Sequence, residues 1–213
     1  METRKNGYIA VDGPIGSGKT TLAKMLAEDL GGYLCLEPSD NNPFLSEFYK
    51  DRKKNAFKTQ LYFLLNRYQQ QKELRQSDMF RTLTVSDYTF AKDSIFAEIN
   101  LSEDELRLYN TIFGLLREQL PRPDLVIYLR AEPKTLLQRI KKKNLEYERH
   151  LDENYLESLT ENYNRYFMNY EDAPLLVVDS TNQNYVERRE DFETLRKEIL
   201  SHRGGTVHFI ARS

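Results

Sequence analysis

Residues Gly13-Pro14-Ile15-Gly16-Ser17-Gly18-Lys19-Thr20 reproduce the pattern G-x-x-x-x-G-K-[ST] without a mismatch. Glycines at this spacing let backbone N–H groups curl around phosphate oxygens, and a helix starting at the lysine adds a dipole favourable to anions. In such a loop Lys19 reaches the β- and γ-phosphates, and the Thr20 hydroxyl ligates Mg²⁺. Gly13, Gly16, Ser17, Gly18, Lys19, Thr20 and Thr21 are therefore the candidate residues for ATP or another nucleoside triphosphate, with Mg²⁺ as its companion. A chance glycine-rich turn would lack the context found here. The strand-like run Tyr8-Ile9-Ala10-Val11 leads into the loop, and a helical pattern from about Lys19 to Leu30 follows it. The loop implies triphosphate binding and leaves open what is done with the phosphate.

Two carboxylates fall where such a loop could use them. Glu37 follows Tyr33-Leu34-Cys35-Leu36, and Asp87 follows Thr82-Leu83-Thr84-Val85-Ser86. In open α/β sheets the site lies outside the carboxyl ends of the strands, and both acids stand at such ends. One could orient or deprotonate an attacking hydroxyl while the other holds Mg²⁺ directly or through water. The alternative is that either acid caps a following helix. That reading weighs more on Asp87, ahead of Tyr88-Thr89-Phe90-Ala91, than on Glu37, fixed before Pro38.

The elements that must position these groups alternate. Short apolar strands at 8–11, 33–36, 82–85, 124–129 and 175–178 are separated by amphipathic segments. From Pro43 to Gln76, Phe44, Phe48, Phe57, Leu61, Leu64 and Leu65 recur at three- and four-residue spacings, which predicts helix. Further helices are expected at about 89–99, 102–119, 133–142, 152–170 and 186–200, the second opened by a Ser102/Glu105 capping box. Gly204-Gly205 precedes a possible extra C-terminal strand at 206–211, whose purpose the sequence does not explain. Strands alternating with helices argue for a parallel sheet with helices on both faces.

Composition bounds the function. The 213 residues suit one domain, and no linker, repeat or low-complexity segment divides them. A net charge of −2 removes the global basic field of a general nucleic-acid binder, though not a local basic site. Cys35 has no internal disulfide partner, and no Cys/His grouping has zinc spacing. A mean hydropathy of −0.69 and the lack of a long apolar run argue against a membrane span, and the charged start against a secretory leader. A cytoplasmic location is expected. His150, His202 and His208 lack partners at catalytic spacing and read as structural or exposed.

The residues between the motifs carry a resemblance. Glu37-Pro38, Asn42-Pro43-Phe44-Leu45, Phe48-Tyr49-x-Asp51, Ala56-Phe57-x-x-Gln60 and Arg67 resemble the deoxyribonucleoside kinase family, over Tyr8 to about Val178. The resemblance implies an α/β, P-loop NTPase-like fold: a five-stranded parallel sheet with helices on both faces and a short lid at about 139–149. It implies Glu37 as general base for a deoxyribose 5′-hydroxyl, Tyr49 and Glu148 on the 3′-hydroxyl, and Gln60 on the base edge. By the same resemblance Arg67 and Asp93 are a base-selecting pair that disfavours thymidine and favours a purine, deoxyadenosine ahead of deoxyguanosine, with deoxycytidine possible. Asp87 is implied beside Mg²⁺, and a homodimer is implied, with no nucleic-acid or membrane partner. Independently, Tyr49 and Gln60 lie eleven residues apart and Gln60 and Arg67 seven apart, intervals that share a helix face if one helix runs past Asp51.

The match departs at three places. Tyr88 stands where the family carries an arginine, Ala97 where it carries a stacking aromatic, and the lid is lysine-rich. For position 88, either another cation substitutes, or turnover is low, or the acceptor differs. In Arg139-Ile140-Lys141-Lys142-Lys143-Asn144, Arg139 and Lys143 are the candidate catalytic cations, and Leu145 replaces a third. Lys141 and Lys142 read as a solvated helix end. Two rivals follow: a nucleoside monophosphate kinase of the thymidylate-kinase type, and a nucleotide-binding regulatory module of low activity.

Overall fold

Along β1 (Gly7–Asp12) and β4 (Leu125–Arg130) successive side chains point to opposite faces, and both faces are apolar. Ile9, Val11, Leu125, Ile127 and Leu129 face one layer, which contains Leu22 and Leu26 of α1 (Lys19–Leu30) and Phe192, Leu195 and Ile199 of α8 (Arg189–Ser201). Tyr8, Ala10, Val126 and Tyr128 face the other. There they meet Ile95 of α4 (Lys92–Asn100), Leu136 of α6 (Pro133–Lys143), and Leu156, Leu159 and Tyr163 of α7 (Glu153–Met168). Strands buried on both sides are the mark of a parallel sheet covered by helices. The computed structural model describes residues 7–37, 42–77, 83–144, 151–182, 185 and 188–210. Pro38, Thr82, Leu145, Glu148 and the 145–149 part of the expected lid lie outside the described residues, as does position 211 of the expected last strand.

The sheet has six strands in the order β2-β3-β1-β4-β5-β6, every neighbouring pair parallel. Here β2 is Tyr33–Cys35, β3 Leu83–Ser86, β5 Leu175–Asp179 and β6 Thr206–Phe209. The expected five-stranded sheet is thus extended by one. The C-terminal run returns through α8 and pairs with β5, Leu175 opposite Thr206. Val207 and Phe209 pack against the core on one side of this edge strand.

The expected single helix over 43–76 is two, α2 (Leu45–Lys50) and α3 (Arg52–Ser77). Asp51 is extended between them (φ −145°, ψ 89°), and its carboxylate accepts from the Lys54 N–H of the next helix at 3.2 Å. α4 starts three residues later than expected. Thr89 is held by Asp12, through its backbone N–H at 3.0 Å and its hydroxyl, so the chain turns before it coils. α5 (Glu103–Arg117) has the expected capping box: the Glu105 carboxylate accepts from the Ser102 N–H at 2.9 Å. Among the described residues no helix is long and apolar enough to cross a membrane.

Candidate active site

The carboxyl ends of β1, β2 and β3 open into one cavity of about 360 Å³. Its walls include Gly16, Lys19 and Thr20 of the phosphate loop, Glu37 and Asp87 after β2 and β3, and Tyr49, Gln60 and Arg67 from α2 and α3. Lys92, Phe48, Phe63, Phe96 and Lys143 complete the parts that carry charge or a ring. Tyr49 and Gln60 meet there although the helix between them is broken at Asp51. Thr21 lies one residue further into α1, outside this lining.

Two of the loop glycines are also required by close backbone approach. A Cβ on Gly13 would lie 2.4 Å from the Leu129 carbonyl oxygen, and Gly16 has φ +84° with the Leu136 carbonyl 2.9 Å from where its Cβ would be. The loop is braced from three sides. Gly13 N–H donates to Asp12 at 2.7 Å, Lys19 Nζ to the Pro14 carbonyl at 3.4 Å, and Ser180 Oγ to the Ser17 carbonyl at 3.3 Å. Burial, with the like charge of Lys92 beside it, pulls the Lys19 ammonium down to about 8. Its carboxylate neighbours Glu37, Asp12 and Asp87 oppose that fall.

Asp87 does not cap α4. Its Oδ2 accepts from the Thr20 hydroxyl at 2.5 Å and its Oδ1 from the Glu37 N–H at 2.7 Å. A hydroxyl and a carboxylate joined at the mouth of a phosphate loop form a hard-oxygen pair. That pair fits Mg²⁺, which takes one or two protein oxygens and fills its octahedron with phosphates and water. Among the described residues no three His, Cys, Asp or Glu side chains gather into a metal cage, so such an ion would depend on the nucleotide for its remaining ligands.

Glu37 is the most heavily partnered acid in the cavity. Arg67 donates to its Oε1 from Nε at 2.8 Å and from a terminal nitrogen, and Lys92 Nζ donates to Oε2. Burial pushes the Glu37 carboxyl up, but Arg67 and Lys92 together outweigh it and hold the group well below the usual carboxylate range. The other end of the Arg67 guanidinium donates to Asp93 Oδ1. Asp93 is fully buried behind Arg67 and does not line the cavity, so of the expected base-selecting pair only Arg67 faces inward.

Around position 97 the structure gives Ala97 to a core cluster with Leu64, Phe90 and Tyr109, while Phe96 and Phe63 bring rings to the cavity. Arg139 sits on α6 with its guanidinium on the Ser180 carbonyl at 2.6 Å, bracing the segment after β5 rather than lining the cavity. Lys143, at the end of the same helix, does line it. Lys92, Phe63 and Asp12 went unread in the sequence. Lys92 gave no local signal: the sequence expects a helix from about residue 89, and only the observed start at Lys92 puts its ammonium at the positive end of the helix.

A parallel sheet with a phosphate loop after its first strand and carboxylates after its second and third defines a nucleotide-dependent phosphotransferase. The chain belongs to the deoxynucleoside kinase family, whose profile matches residues 9–202. It is 36% identical over 199 residues to the deoxyguanosine kinase of Bacillus subtilis (strain 168), covering 90% of this chain and 95% of that protein. It is 29% identical over 205 residues to a deoxyadenosine/deoxycytidine kinase of the same organism, covering 92% and 93%. A deoxyadenosine kinase from M. mycoides, solved with bound dATP, superposes with a TM-score of 0.79 at 30% identity, covering 92% of this chain and all of that one.

Proposed function

We propose that the protein transfers the γ-phosphoryl group of ATP or another nucleoside triphosphate to the 5′-hydroxyl of a purine deoxynucleoside, in nucleotide salvage. The observation that carries this reading is the Arg67 guanidinium, anchored by Asp93 and bound to Glu37 in the cavity wall beside Gln60. A guanidinium fixed from behind is a rigid donor fork, and the Gln60 amide offers a donor and an acceptor side by side. Together they suit the ring nitrogens and exocyclic groups of adenine or guanine.

The phosphate loop holds the triphosphate, with Lys19 on its outer phosphates. Thr20 and Asp87 would hold Mg²⁺, which supplies charge neutralisation at the transferred phosphoryl group. Glu37 accepts a hydrogen bond from the 5′-hydroxyl and aims it at the phosphorus, and its low pKa keeps it a carboxylate. Strong proton abstraction is not required, because phosphoryl transfer passes through a loose transition state that gains most from positioning and charge. Tyr49 and Glu148 both bind the 3′-hydroxyl. Lys143 and Arg139 complete the positive field when the lid closes.

The dimer belongs to the same reading. α3 and α5 pack on each other and leave Leu65, Leu108 and Leu115 exposed, an apolar supply for a second copy. A nucleoside monophosphate is the poorer acceptor, because Arg67 and Lys92 both serve Glu37 rather than face an incoming phosphate.

Incubating the protein with ATP, Mg²⁺ and each deoxynucleoside or its monophosphate, with products identified by phosphorus NMR, tests the reading. A 5′-monophosphate from deoxyadenosine or deoxyguanosine supports it. Diphosphates made only from monophosphates, or no turnover with any acceptor, would overturn it.

A further inference from the structure

The segment from Asp87 to Asp93 brings a single cation to the cavity, and it is not where a strand-end motif would place it. Tyr88, next to Asp87, is fully buried in a cluster with Cys35 and Leu74, where its hydroxyl donates to Gln70. Gln70 in turn donates to the Leu36 carbonyl at 2.9 Å. Tyr88 thus ties α3 to the end of β2 and offers nothing to a substrate. Four residues on, Lys92 turns inward at the start of α4. Its side chain is only 7% exposed, and its ammonium donates to Glu37 Oε2.

That placement is costly for a lysine. The ammonium is desolvated and stands at the positive end of a helix dipole, against the usual preference. The compensation is Glu37. An ionised carboxylate has about four acceptor positions, two on each oxygen. Arg67 fills both on Oε1 through Nε and a terminal nitrogen, and Lys92 takes one on Oε2. Among the described residues, the one position left for a hydroxyl is therefore on Oε2, beside the Lys92 ammonium.

We propose that Lys92 is a positioning residue for phosphoryl transfer: with Arg67 it clamps Glu37 oxygen by oxygen and leaves a single direction from which an acceptor hydroxyl can dock. This inference rests on Glu37 receiving the acceptor hydroxyl. Lys92 acts through Glu37, since the contact seen is to that carboxylate.

The test is steady-state kinetics of Lys92→Met, Lys92→Arg, Glu37→Gln and the Glu37→Gln/Lys92→Met double variant, with deoxyadenosine or deoxyguanosine as acceptor. Lys92→Met should lower kcat about 10²-fold, the size expected when a reacting group is misplaced by about an ångström. KM for the triphosphate should stay within about twofold, because the phosphate loop is untouched. Lys92→Arg should recover most of the loss. The double variant should be no worse than Glu37→Gln alone within about threefold, since coupled residues do not add. A Lys92→Met enzyme with wild-type kcat, or losses that multiply in the double variant, would overturn the inference. Lys92→Gln takes the same readings if Lys92→Met does not stay folded. A wild-type protein inactive on every deoxynucleoside would instead remove the reading beneath it, and that shows before any variant is assayed.

Discussion

Arg67 and Glu37, thirty residues apart in sequence, are joined at 2.8 Å between Nε and Oε1 and share that oxygen with a second guanidinium nitrogen. One guanidinium therefore links the acid that ends β2 to Asp93 on α4. This connects the wall that would meet a base with the carboxylate that would meet a hydroxyl.

Removing Arg67 strands Asp93. Lys92 remains for Glu37, but the Asp93 carboxylate loses the one hydrogen-bonding partner it has among the described residues. Arg67→Met should cost about 3–5 kcal/mol, as for other broken buried ion pairs. Urea unfolding of the two proteins measures it. Arg67→Lys should not restore the loss, because an ammonium cannot span both carboxylates as the planar fork does.

Glu37→Gln keeps the shape and removes the charge. The expected loss is about 10²–10⁴-fold in kcat, the range for a positioned acid or base, with affinity for the triphosphate retained. Unchanged phosphorylation would show that Glu37 has no part in the reaction.

Asp93 gives stability a pH dependence. Burial pushes its carboxyl up to about 6 against the pull of Arg67, and Oδ2 has no hydrogen-bond partner among the described residues. Glu37 adds repulsion, Lys92 opposes it, and Tyr109 stands nearby uncharged. The ordinary value is 3.8, so the folded protein binds more protons than the unfolded chain between that value and about 6. The stability contributed by Asp93 is thus fully present below the unfolded pKa and lost as pH rises through about 6. Asp93→Asn should gain in Tm relative to wild type as pH is raised from about 4 to about 7. A constant difference between the two melting curves would contradict this.

Tyr49→Phe should raise KM for the deoxynucleoside about tenfold, the worth of one hydrogen bond between substrate and protein. It should leave KM for a 2′,3′-dideoxynucleoside unchanged. An equal effect on both substrates would place Tyr49 away from the 3′-hydroxyl.

The phosphate loop, the strand ends and most helices were legible because each rests on local rules: glycine spacing, apolar periodicity and a capping box. What stayed hidden depends on contacts across the sequence. The break at Asp51 lies inside an unbroken helical pattern, and the late start of α4 comes from Asp12, seventy-seven residues before Thr89. Lys92 reads as an ordinary surface lysine until β2 brings Glu37 against it. The sixth strand was visible as a β-rich run but had no partner until α8 carried it beside β5.

The central claim is that this cavity selects a purine deoxynucleoside and phosphorylates its 5′-hydroxyl. One competition assay tests it most directly: equal concentrations of deoxyadenosine, deoxyguanosine, deoxycytidine and thymidine with ATP and Mg²⁺, each monophosphate quantified at early time. The expected result is that a purine 5′-monophosphate forms first. Replacing Arg67 and Asp93 with apolar residues should then shift the ranking toward pyrimidines. Thymidine or deoxycytidine phosphorylated ahead of both purines by the unaltered protein would contradict the claim.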